Sequence, residues 1–105
     1  MIKKFLNRIF KRKGPYDFYF EKFSNGDGLS FENAVKIQSQ NSMQGISDEY
    51  LFINTFYGKR EIDWFLEGQS LVSHNDINYD VLKIKLKDGK ILDIHFDISN
   101  FFGKF

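Results

Sequence analysis

Asp93, His95 and Asp97 stand two residues apart, a spacing that puts all three side chains on one face of an extended strand. Two carboxylates and an imidazole so aligned are a candidate ligand set for a divalent metal ion. The intervening Ile94, Phe96 and Ile98 form an apolar face, so the same pattern describes the wet side of an amphipathic strand. The expectation is therefore no metal, with these three as candidate ligands if one binds. His74 and His95 are the only histidines. A pair of histidines with a lysine can run acid–base cleavage of RNA near neutral pH, but nothing in their spacing brings them together. Gly26-x-Gly28 follows an extended stretch, where phosphates can sit. The third position of a dinucleotide fingerprint is the bulky Phe31, and there is no Walker lysine and no Gly-x-Ser-x-Gly elbow. No catalytic residue is assigned, no cofactor is expected, and the chain is read as non-catalytic.

Charge is the stronger signal. Residues 1–13 carry six basic side chains and no acidic one, which leaves 9 basic against 14 acidic groups in residues 14–105, a net charge of −5. Such asymmetry bears on partners rather than on fold. Lys3, Lys4, Arg8, Lys11 and Arg12 could meet an anionic membrane surface while Phe5, Leu6, Ile9 and Phe10 insert. The same stripe could instead pack on the domain, its charges solvated. The acidic body argues against nucleic acid. Glu61, Asp63, Glu67, Asp76 and Asp80 gather in one stretch of sequence and are the candidate partner-binding residues. An exposed Trp64 or Tyr79 beside them would make an anchor, although Trp64 alternates with acidic neighbours as core residues do.

The elements that must position these residues follow from periodicity. Ile2, Phe5, Leu6, Ile9 and Phe10 predict an amphipathic helix over residues 2–13, stopped by Gly14-Pro15. Residues 16–23 predict a strand, and 24–28 a turn. Ser30 is read as the N-cap of a helix over 31–40, with Gly45 past its end. Residues 50–57 are apolar on both faces and predict a central strand. Ile62, Trp64 and Leu66 mark the next strand, Gly68 a turn, 69–74 a shorter strand, and 74–78 a loop. In the last hairpin, Leu82, Ile84 and Leu86 must share a face with Leu92, Ile94 and Phe96. Only an odd-length loop allows that, so Lys87-Asp88-Gly89 is predicted to close it with Gly89 left-handed. That register sets Ile84 opposite Leu92, Lys83 opposite Asp93 and Val81 opposite His95.

With 13 Phe, five Tyr and a single alanine (Ala34), the chain favours strand over helix. The expected fold is α+β: an antiparallel meander of about five to six strands with one helix packed on it. Residues 1–13 form the basic helix and 14–105 a single domain. No cysteine is present, which excludes disulfides and thiolate zinc sites and agrees with a cytoplasmic setting. No apolar run reaches a membrane-spanning length. Phe101, Phe102 and Phe105 are expected to fold back onto the domain.

The stretches Gly28-Leu-Ser-Phe-Glu-Asn-Ala-Val35, Glu49-Tyr50, Tyr79-Asp80 and Phe96-Asp-Ile-Ser99 resemble small bacterial toxin-immunity proteins. The resemblance implies a cytoplasmic inhibitor that binds a basic toxin domain one to one through acidic residues, and it carries over no individual functional residue.

Overall fold

Asn41 opens the helix of the computed structural model, which describes residues 23–104. The side-chain oxygen of Asn41 accepts the Gln44 N–H at 2.9 Å, satisfying one of the amides that the first turn leaves free. The helix, α1 (Ser42–Tyr57), buries Gly45, Asp48, Glu49, Phe52 and Ile53, and Phe56 and Tyr57 pack on the same core. Those residues recur every three or four positions, one helical stripe. Residues 50–57 are thus the second half of a helix and not a central strand. Their aromatic and β-branched content suits a strand, but the stripe that starts at Gly45 and the cap at Asn41 decide in favour of helix. The helix expected over 31–40 is absent. Ser30 does accept the Asn33 N–H at 3.1 Å, but it closes a local turn, and Val35–Ile37 is a strand. The helix expected over 2–13 lies outside the described residues, as does the strand expected over 16–23 except for its last residue, Phe23, which opens a strand.

Five strands follow in one sheet: β1 (Phe23–Asn25), β2 (Val35–Ile37), β3 (Trp64–His74), β4 (Ile77–Leu86) and β5 (Ile91–Asp97), in the spatial order β1-β2-β5-β4-β3. The sheet is mixed. β1–β2, β3–β4 and β4–β5 are antiparallel, whereas β2–β5 is parallel. The expected all-antiparallel meander holds only for residues 64–97. The physical reason is α1: it carries the chain back over the sheet, so β3 points the same way as β2. Two reversals later β5 does too, and it fills the place beside β2.

The β4–β5 register is the one the apolar pattern demands. Ile84 faces Leu92, Lys83 faces Asp93 and Val81 faces His95. Leu86 N–H bonds the Lys90 carbonyl at 2.8 Å across the loop 87–89, where Gly89 has φ +93°. β3 is a single strand. Gly68 does not turn the chain; a bulge lies there instead, with Leu66 opposite Ile84 but Gly68 opposite Lys83. The hairpin to β4 turns on two residues, Asn75 and Asp76, both with positive φ as a type I′ turn requires. The loop expected over 74–78 shrinks to those two.

One face of the sheet and α1 enclose the core. Trp64, Leu82, Ile84, Ile94 and Phe96 meet Phe52 and Ile53, with Phe23, Val35 and Ile37 beside them. The Phe52 ring stands edge-on to Phe23 at 5.5 Å and to Phe96 at 5.7 Å. Trp64 is fully buried, and its indole N–H donates to the Gly58 carbonyl at 2.9 Å and to Asn54 at 3.2 Å. After β5 a turn folds Phe101 into the core against Gly45, where any Cβ would overlap the ring. Phe101 thus folds back as expected, Phe102 stays exposed, and Phe105 lies outside the described residues.

Candidate functional site

The bulge in β3 decides what lies on each face. Before it, Trp64 and Leu66 face the core; after it, the parity reverses and Gln69 and Leu71 do. Leu71 then stands opposite Asp80, and Asp80 opposite Phe96, in one row on the helix side. The row ends in an open groove of about 380 Å³ between the first turns of α1, the β3 edge and the turn after β5. Ile46, Leu71, Ile98, Phe101 and Phe102 wall it. Leu71 is 64% exposed, and Ile46 and Phe102 are exposed beside it. β3 is the last strand on that side; Arg60 bridges its first residue, Trp64, and from Phe65 to His74 no described residue pairs with its outer edge.

Asp80 and Gln69 form the floor. The Gln69 amide donates to both carboxyl oxygens of Asp80, at 3.1 Å each. Behind Asp80 lies Glu49 of α1, 0% exposed, with no hydrogen-bond donor for either oxygen among the described residues. Burial foremost, and then the Asp80 charge and a carboxyl-to-carboxyl hydrogen bond with Asp80, push the Glu49 pKa from 4.5 to about 10. Two carboxyls in contact can hydrogen bond only if one keeps its proton, and Glu49 keeps it. The neighbouring Asp48, also buried, accepts from Gln44 at 2.9 Å.

The opposite face gathers both histidines. Phe31 stacks on His74 at 4.3 Å and stands edge-on to His95 at 4.7 Å and to Tyr79 at 4.9 Å. His95 Nδ1 lies 2.7 Å from the Gly28 carbonyl, which fixes Nδ1 as the protonated nitrogen when the ring is neutral. Burial, with the charges of Asp97 and Glu32, raises the Tyr79 pKa. Phe31 therefore fills the space between the imidazoles and joins them in an aromatic cluster. The candidate metal set is not assembled. Asp93 is exposed, His95 is committed to Gly28, and Asp97 accepts the Ser99 N–H at 2.9 Å. Among the described residues no group of three His, Asp or Glu side chains could hold a metal ion.

The five candidate partner-binding residues are dispersed. Glu61 and Asp63 precede β3 and Asp76 follows it, so they are separated by about 30 Å of strand. Glu61 is exposed. Asp63 caps the Lys59 N–H at 2.7 Å and pairs with Lys87 at 3.5 Å. That backbone hydrogen bond, more than Lys87, lowers its pKa. Glu67 sits at the bulge, exposed on the other side of the sheet from Asp80. Asp80 is buried, which corrects its reading as a surface acid. Tyr79 is buried too, so neither it nor Trp64 is an exposed anchor. Lys3, Lys4, Arg8, Lys11 and Arg12 lie outside the described residues.

No family model matches the chain, and no curated protein or solved structure matches it. No helix of the described residues is long and apolar enough to cross a membrane.

Glu49, Gln69, Ile46 and Leu71 escaped the reading of the sequence. The one available signal was the helical stripe through Gly45, Glu49, Phe52 and Phe56. It places Glu49 on a buried face, where a carboxyl is anomalous.

Proposed function

We propose that this chain is a non-catalytic protein-binding module that seats its partner in the groove between α1 and the free edge of β3. The observation that carries the reading is Leu71, 64% exposed, in one wall with exposed Ile46 and Phe102 beside a strand edge that, from Phe65 on, no described residue pairs with. Contiguous apolar surface of this kind marks interaction sites. An edge strand adds a row of free backbone donors and acceptors for an incoming chain. β3 carries one charged residue, Glu67, and no lysine or proline, so its edge lacks the devices that repel another strand.

The partner class implied by the toxin-immunity resemblance, a basic toxin domain, agrees with the net −5 of residues 14–105. In this reading Glu61, Asp63, Glu67 and Asp76 steer the encounter from the rim, and the groove supplies the affinity. The test is capture of the partner from host lysate by the tagged full-length chain, in parallel with Leu71→Asp, at low and high salt. One stoichiometric partner, lost with Leu71→Asp and associating more slowly as salt rises, is the expected result. Equal capture by both chains would overturn the reading, and a basic toxin domain as the captured protein would establish the immunity role.

A further inference from the structure

We propose that the floor of the groove, Asp80 backed by Glu49, receives a lysine or arginine side chain presented by an apolar segment of the partner. The inference rests on the groove being the docking surface and adds the chemistry of what enters it. Asp80 lies in a row with Leu71 and Phe96, where an apolar residue would complete the core. Burying two carboxyls in contact is costly, and well-packed apolar residues of similar volume often serve stability as well or better. The fold gives the pair little in return. Asp80 has two neutral donors, the Gln69 amide shared between both its oxygens and the Glu49 proton, and the oxygens of the fully buried Glu49 accept from no donor among the described residues. Neither has a lysine or arginine partner among the described residues.

A carboxylate at the bottom of an apolar groove, held by neutral donors alone, calls for a cation that brings its own apolar stem. The side chains of lysine and arginine do this: their methylenes lie along apolar walls while the charged head reaches a carboxyl. Here Ile46, Leu71 and Phe102 would flank the stem and Asp80 would meet the head. Arginine suits the site further, because its planar fork can engage both oxygens of Asp80 and displace Gln69.

The test uses the full chain and two small probes of like shape, hexylguanidinium and hexylurea, titrated while the methyl resonances of Ile46, Leu71 and Ile98 are followed. Hexylguanidinium should bind saturably and about tenfold more tightly than hexylurea, the margin expected of a charge-assisted hydrogen bond. Asp80→Asn should abolish that margin. Should D80N fail to fold, Leu71→Lys serves in its place: a cation tethered at the rim should occupy the floor and exclude hexylguanidinium. Equal binding of the two probes would overturn the cation site and leave the groove standing as an apolar docking surface. Hexylguanidinium binding that is unchanged in both variants would likewise overturn it.

Discussion

Glu49 is the residue at which local chemistry and stability conflict. Its folded-state pKa of about 10 lies above its ordinary 4.5, so the folded chain holds a proton that the unfolded chain releases. A carboxyl whose pKa is raised by folding contributes fully below pH 4.5 and loses that contribution as pH climbs toward 10. Replacing Glu49 with glutamine keeps the shape, removes the titration and offers Asp80 an amide donor. Urea unfolding of Glu49→Gln and wild type should therefore coincide near pH 4.5 and diverge as pH rises. The variant should be more stable by on the order of 3 kcal/mol at pH 8. A wild-type stability that stays level across that range would show that Glu49 ionises freely. The second residue of this kind is Tyr57. Its buried hydroxyl has no partner among the described residues, and burial, with Asp27 adding, raises it to about 12. It stays neutral throughout the range of the Glu49 experiment.

At the scale of the element, β3 is the part of the molecule that makes the site. An eleven-residue strand with uniform parity would carry Trp64, Leu66, Gly68 and Ser70 on the core side and turn Leu71 and Gln69 outward. The bulge between Leu66 and Gly68 reverses this, placing Leu71 and Gln69 on the groove and His74 against Phe31. Deleting Glu67 removes the extra residue and leaves a plain alternation, with Leu66, Gln69 and Leu71 on the helix side and His74 on the other. Urea unfolding should then change by no more than about 1 kcal/mol, and nuclear Overhauser contacts between Phe31 and His74 should persist. Loss of those contacts would mean that Glu67 is not the residue the ladder leaves over.

For the whole molecule, the order β1-β2-β5-β4-β3 makes β5 and β4 interior strands and, among the described residues, leaves β3 long and, from Phe65 on, paired on one side only. Local opening follows that arrangement, because a strand with a neighbour on one side loses half as many ladder bonds when it detaches. Amide hydrogen exchange should be slowest in β4 and β5 across Leu82–Ile84 and Leu92–Phe96. The β3 amides that point to its outer edge should be fast, and they should slow when the partner binds. Edge amides as slow as those of β5 in the free chain would indicate that the edge is already covered in solution. The charge asymmetry belongs to this scale too. A net −5 over residues 14–105 acts on association rates rather than on the shape of the site.

What the sequence determined by itself was whatever depends on neighbours close in the chain. The β4–β5 register follows from the parity of Leu82–Leu86 and Leu92–Phe96 together with Gly89, because a hairpin is closed by its own loop. The burial of Trp64, the return of Phe101 and the α+β class follow from apolar patterning in the same way. The tertiary structure decided whatever depends on a partner distant in sequence. Residues 50–57 contain nothing that refuses a strand; they are helical because Asn41 caps the segment and the stripe from Gly45 to Tyr57 finds the sheet and Phe101 to pack against. The parallel β2–β5 pair exists because α1 returns the chain before β3, and no local pattern records that. The acids that look like one cluster in sequence are scattered because a strand some 30 Å long separates them. Glu49 and Asp80, from two elements, come together only through packing, and that contact makes the floor of the groove.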